Sequence, residues 1–172
     1  LTPQNNKKLD QLANLLLIYP KITAELSCFE LPTGQKTFNL YFSIKKTEKA
    51  AEYLAGKGIP RSRLLLKGYG SSFPLVAKPV SNNISPLYQK LNQRLEIALH
   101  DYESEPVIID IEGIKVPENL QDPKGVKFST LSNQLFYSVQ IASISQILQN
   151  QAIESVEELF IEVENSSGNY LY

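Results

Sequence analysis

Lys45, Lys46 and Lys49 fall on a single stretch with helical patterning and form a basic stripe. A cation held on a rigid helix can grip a carboxylate, and such charge-assisted contacts are the stronger class of hydrogen bond. A solvated face is the ordinary role of a charge stripe, but Lys46 stands apart because Asn39 and Thr33 lie close by in the chain. The remaining reactive types are isolated. Cys28 has neither a second cysteine nor a nearby histidine, so a buried structural thiol is expected rather than a nucleophile. His100, the single histidine, adjoins Asp101 at the end of an apolar run, and no serine or cysteine is placed to use that dyad. The acidic positions 154, 157, 158, 162 and 164 lack the spacing of a calcium loop. Gly68-Tyr69-Gly70 opens no helix and so makes no phosphate loop. These residues point to binding rather than catalysis, with no metal and no cofactor.

The elements that carry them come from a chain of 172 residues, 42% apolar and 20% charged, which is ordinary globular composition. No apolar run approaches the roughly 18 residues that span a bilayer. Lys and Arg total 17 and Asp and Glu 18, for a net charge of -1, yet the distribution is lopsided. Residues 1–100 carry 14 basic and 6 acidic side chains, a net +8, and residues 101–172 carry 3 and 12, a net −9. That division predicts two units, either attracted to one another or with the basic one turned toward an anionic partner. Basic and aromatic residues do not interleave in a stripe suited to nucleic acid. Methionine is absent even from position 1, so a segment of a longer protein is expected.

Thr2-Pro3 and the spacing of Leu9, Leu12, Leu16 and Tyr19 predict a first helix that Pro20 stops. Residues 22–27 alternate as a half-buried strand, and Pro32-Thr33-Gly34 reads as a turn. Ser43 is the expected cap of a second helix, with Ile44, Thr47, Ala51 and Leu54 on one face and Gly56 and Gly58 ending it. Leu64–Leu66 and Leu95–Leu99 read as strands, with an irregular excursion over residues 71–88 between them. Two helices on one face of a sheet follow from this order, an α+β architecture that lacks one strand, expected just before Leu1. Beyond residue 102, strands are expected over 107–112, 134–141 and 160–164, with short helices between Ile144 and Leu159. The expected organisation is a first domain over 1–102, a strand and connection over 103–133, and a small acidic α+β unit over 134–172.

Asn39, Phe42-Ser43, Tyr53-Leu54, Gly58-Ile59, Ser62-Arg63, Gly68-Tyr69-Gly70 and Asn92-Gln93-Arg94-Leu95-Glu96 stand in one register. In that register, residues 1–100 resemble the OmpA-like C-terminal domain of bacterial envelope proteins. The resemblance implies a periplasmic module, associated with the outer membrane, that holds peptidoglycan non-covalently. By the same resemblance Thr33, Gly34, Asn39, Lys46 and Arg94 are the ligand-binding candidates, with Lys46 and Arg94 facing the carboxylate of the wall peptide. Two positions depart from the family pattern. Leu31 stands where the family has an Asp for the ligand's ammonium, and Lys46 stands where it has an Arg. Lysine keeps the charge but not the planar fork. Glu30 sits one residue early and on an extended segment is expected to face away. A weakened grip on peptidoglycan is therefore expected, or an adaptor role among other envelope proteins with the pocket vestigial.

Residues 135–143, Leu-Phe-Tyr-Ser-Val-Gln-Ile-Ala-Ser, and the Tyr-rich 168–172 are similar to strands of SPOR domains, which bind glycan strands of the cell wall. The segment would be a partial version of that fold.

Overall fold

A computed structural model of the chain describes residues 3–76, 85–109, 115–118, 138–148 and 153–172. Its elements are α1 (Pro3–Ile18), β1 (Thr23–Phe29), α2 (Lys36–Gly56), β2 (Leu64–Gly70), α3 (Pro86–Asn92), β3 (Arg94–His100), β4 (Ser143–Ile144), β5 (Ile161–Val163) and β6 (Tyr170–Leu171). They build an α+β fold around one mixed sheet in the order β3-β1-β2-β5-β6-β4. Only β1 and β2 run parallel, as a crossover through α2 requires; the other neighbours are antiparallel. Among the described residues no helix is long and apolar enough to cross a membrane.

Helix α1 buries Leu9, Leu12, Ala13 and Leu16, the i, i+3, i+4, i+7 stripe that its sequence announces. Its end is closed from a distance. The Arg63 guanidinium donates to the carbonyls of Leu16 (2.7 Å), Tyr19 (2.7 Å) and Ile22 (3.0 Å), which the turn at Pro20 leaves without helical partners.

Helix α2 starts at Lys36, two turns before the expected cap at Ser43. Ser43 is instead fully buried against β2, where its hydroxyl donates to Leu40 O (2.8 Å) and accepts from Gly70 N (3.0 Å). The real cap comes from far along the chain. The Glu154 carboxylate accepts from the backbone N–H of Lys36 (2.9 Å) and Thr37 (3.0 Å) and from the Thr37 hydroxyl (2.8 Å). Lys36 Nζ also bonds Val156 O. A carboxylate at the positive end of a helix is favourable, and no local pattern could reveal one that arrives from 118 positions away. At the other end Gly58, at φ 93°, lets the N–H of Ile59 return to Leu54 O (3.1 Å).

The later half contributes strands to the same sheet. Val163, Glu162 and Ile161 of β5 pair with Leu66, Lys67 and Gly68, and β6 and β4 extend from there. Ile153, Leu159, Ile161, Val163 and Tyr172 join Leu9, Leu26, Leu54 and Leu66 in one core. The charge boundary near residue 101 is thus no break in sheet or core.

Several expected elements differ. Strand β2 runs on past the expected Leu64–Leu66 through Gly70, and α3 begins within the expected irregular excursion, where Ser85 caps Tyr88 N (3.1 Å) ahead of Pro86. Residues 107–109 and 138–142 are irregular, and 143–148 and 153–159 hold no α-helix. The isoleucines spaced by three here anchor turns and the short β4 strand to the core. The remainder of the expected 107–112 strand, the connection through 119–133 and the start of the SPOR-like strand at 134–137 lie outside the described residues.

A Cβ added at Gly68 would lie 2.7 Å from both Ile44 N and Ser43 Oγ. Because the first of these is backbone, Gly68→Ala must push α2 off the sheet. A loss of at least about 1–3 kcal/mol is expected in urea unfolding; an unchanged midpoint would refute the close-packing account. The Glu154 carboxyl is held below its ordinary 4.5, first by the Thr37 N–H and then by the Thr37 hydroxyl. A lowered folded-state value stabilises above the ordinary value and the stabilisation fades on acidification. The stability gap between native chain and Glu154→Ala should therefore be open at neutral pH and shrink as pH falls through and below 4.5. A gap independent of pH would remove the charge from the cap.

Candidate functional site

Along β1 the even positions Ala24, Leu26, Cys28 and Glu30 point toward the helices, as the period of two requires. Glu30 follows the strand directly and is buried, with its N–H bonded to Gly70 O (2.6 Å). Its carboxylate meets Lys46 Nζ at 2.5 Å and accepts from Gln93 Nε2 at 2.8 Å. Glu30 therefore faces the candidate cation, against the expectation that it would turn away. Leu31 is the residue that leaves, packing on the small cluster of Leu75, Val76, Tyr88 and Leu91. Adjacent extended residues do face opposite ways; the phase is set by Cys28, whose Sγ lies 4.0 Å from Glu30 Oε1.

Asn39, 3% exposed, ties the loop to the helix. With its amide oriented so that the nitrogen faces the loop carbonyls, that nitrogen donates to Thr33 O (2.9 Å) and Leu31 O (3.3 Å), and the oxygen accepts from Ser71 Oγ (3.2 Å). These bonds fix the 31–34 loop beside α2, so Asn39 positions the site with its polar atoms already engaged. Thr33 and Gly34 are exposed at the loop's tip, and Gly34 at φ 75° has open space about it. Lys46, about half exposed, is the cation of this mouth.

Arg94 is elsewhere. It pairs in register with Phe29, so it shares the sheet face opposite to Cys28 and Glu30. There its guanidinium lies 3.8 Å from the Phe29 ring centroid and bonds Glu96 (2.6 Å). Phe29 stacks on Tyr69 with centroids 4.9 Å apart, and Phe73 and Phe160 lean on the same Tyr69 ring. The structure thus gathers Thr33, Gly34, Asn39 and Lys46 at one mouth and places Arg94 in a buried aromatic layer behind the sheet. Gln93, one residue earlier, reaches Glu30 instead. The alternation of 93 and 94 along the approach to β3 carried that signal, but only the register with β1 decides which of the two faces the helices.

No protein-family model and no curated protein matches the chain. Solved structures do. The periplasmic domain of Helicobacter pylori MotB aligns with 58% of this chain and 63% of its own length, at 15% identity and a TM-score of 0.47. The peptidoglycan-associated lipoprotein from Burkholderia pseudomallei aligns over 58% of this chain and 80% of its own, at 19% identity and the same TM-score.

The arrangement offers a cation and an anion side by side. Burial first, and then the nearby Glu30 charge, push the Cys28 thiol up to about 12. A thiol so placed is protonated at neutral pH and shielded. Cys28 should stay unreactive toward a disulfide reagent in the native chain at pH 8 and react stoichiometrically once unfolded. Rapid native labelling would show that the site is more open than its burial implies.

Proposed function

We propose that the chain is a non-catalytic module of a bacterial cell envelope that contacts peptidoglycan weakly from the periplasm, within an outer-membrane-associated protein. The observation that carries this reading is the Glu30–Lys46 pair at the mouth of the 31–34 loop. A zwitterionic stem residue has a carboxylate for Lys46 and an ammonium for Glu30, so an ion pair of this kind is complementary to it. The backbone of Thr33 and Gly34 adds hydrogen bonds at the rim, and Asn39 keeps the loop in place. Arg94 takes no direct part, because it faces the other side of the sheet. The grip is weak for a physical reason. Ligand carboxylate and Glu30 compete for one ammonium, and lysine offers a point charge where a guanidinium would offer a bidentate fork.

That same mutual satisfaction favours a second reading, in which the pocket is vestigial and the chain is an adaptor for other envelope proteins. Sedimentation with purified peptidoglycan sacculi separates the two. On the leading reading a fraction of the chain is retained, retention falls with added salt, and Lys46→Ala weakens it about tenfold or more. No retention of the native chain, together with a crosslink to another envelope protein, would hand the case to the adaptor.

A further inference from the structure

The sheet ends in two unlike edges. On one side β4 is two residues long, and an edge strand that short is a common guard against stray pairing. On the other, β3 presents seven residues, Arg94–His100, and no strand among the described residues pairs with its outer side. The usual guards of such an edge are missing. Strand β3 holds no proline and no lysine, and its register with β1 is unbroken from Thr23 and His100 to Phe29 and Arg94, so no bulge turns it away. Its guanidinium and its carboxylate are bonded to each other on the back face, Arg94 to Glu96 at 2.6 Å.

The row that faces the helices is incomplete at this edge. Leu95, Ile97 and Leu99 stand opposite Cys28, Leu26 and Ala24. The three on β1 are buried, whereas Leu95 and Leu99 are partly covered and Ile97 is 37% exposed. The helix layer therefore does not overhang the outer strand, which leaves room for a neighbour beside it.

We propose that β3 is a dimerisation edge, at which a second copy of this chain adds its own β3 antiparallel about a two-fold axis at Ile97. The strand is self-complementary about that axis, as an isologous interface requires. Ile97 faces its counterpart, Leu95 faces Leu99 and Glu96 faces Ala98, so the apolar row runs on from one copy into the other. Arg94, already neutralised by Glu96, faces His100. Only this axis pairs all seven residues. Moved to Glu96, it sets two carboxylates against each other; moved to Ala98, it shortens the overlap and sets Leu95 against Asp101. The full register adds roughly six to eight backbone hydrogen bonds. An interface this narrow belongs to the weak, reversible class. Gln93, which holds Glu30, lies at the start of β3, so the two-fold sets the two Lys46 mouths toward opposite ends of the seam. Two weak mouths on one particle raise retention on a polymer by avidity. That consequence rests on the envelope reading, whereas the dimer does not.

Sedimentation velocity of the 172-residue chain, without peptidoglycan, tests the edge by itself. At roughly 100 μM the expected mass is twice that of one chain. Ile97→Lys sets two ammonium groups face to face and should weaken association at least about tenfold. Phe42→Lys, at a comparably exposed apolar position on α2, should leave it unchanged. Ile97→Cys should crosslink to its own copy through a short bismaleimide, since Cys28 is buried and opposed side chains start only ~4.5–5.5 Å apart. A monomer at every concentration, the result if another strand of the same chain covers this edge, would overturn the proposal. So would undiminished association in folded Ile97→Lys, or no crosslink through Ile97→Cys.

Discussion

The contact between α2 and β2 is the constraint on which the rest depends. Gly68 has no side chain, so the backbone of Ile44 settles on the strand, and Ser43 and Thr47 reach Gly70 N and Lys67 O directly. These two hydroxyls remove the need for water in a fully buried seam. The closeness fixes how far the helix lies from the sheet, and hence where position 46 projects relative to the end of β1. Were α2 lifted by the thickness of a methyl group, the 2.5 Å contact between Lys46 and Glu30 would have to stretch or re-form. Site and core are one packing problem here.

The fold was legible where its causes are local. The α1 stripe, the stop at Pro20, the glycines at 56 and 58, and the strands near 23–29, 64–66 and 94–100 follow from periodicity and turn chemistry. What stayed hidden depends on distant partners. Ser43 has the chemistry of a cap, and nothing in its neighbourhood says that it lies on a buried face while Glu154 does the capping. Strands of two or three residues, such as β4 and β5, carry too few positions to display a period. For the site, the loop and Lys46 were readable from residue types and register. The roles of Glu30 and Arg94 were not, because a strand's phase relative to the core is a tertiary fact. A one-residue change of phase exchanges every side chain between faces.

The lopsided charge has a tertiary resolution as well. Glu154 sits on the α2 N-terminus, Glu162 is registered against Lys67, and the Tyr170 hydroxyl joins Lys45 to Glu48. Of the two roles that the +8 and −9 halves could play, mutual attraction is visible between Lys67 and Glu162, where the ammonium pulls the carboxyl down. It is not free of strain. Burial pushes the Glu162 carboxyl up, Lys67 pulls it down, and Glu25 on the far side of Lys67 pushes it up again. Two carboxylates share one ammonium, since Lys67 Nζ is already 2.9 Å from Glu25. A buried charge held by a shared partner contributes less than its proximity suggests, because the cost of removing it from water is only partly offset.

By the same accounting, a mouth built like the one at Lys46 would hold a ligand only feebly on the function proposed above. A pocket with an unpaired buried charge destabilises the free protein, and a ligand that neutralises it recovers that cost on binding. Here the buried charge is that of Glu30, and the half-exposed Lys46 ammonium neutralises it in advance. Glu30 is itself fastened by Gln93 and by the strand backbone, so it cannot swing aside without leaving an acid unpaired in a buried position. A ligand must therefore add to the pair rather than replace half of it, and only a species carrying both charges can do so. On the function proposed above, selectivity for a zwitterion and low affinity for it would be two consequences of one ion pair.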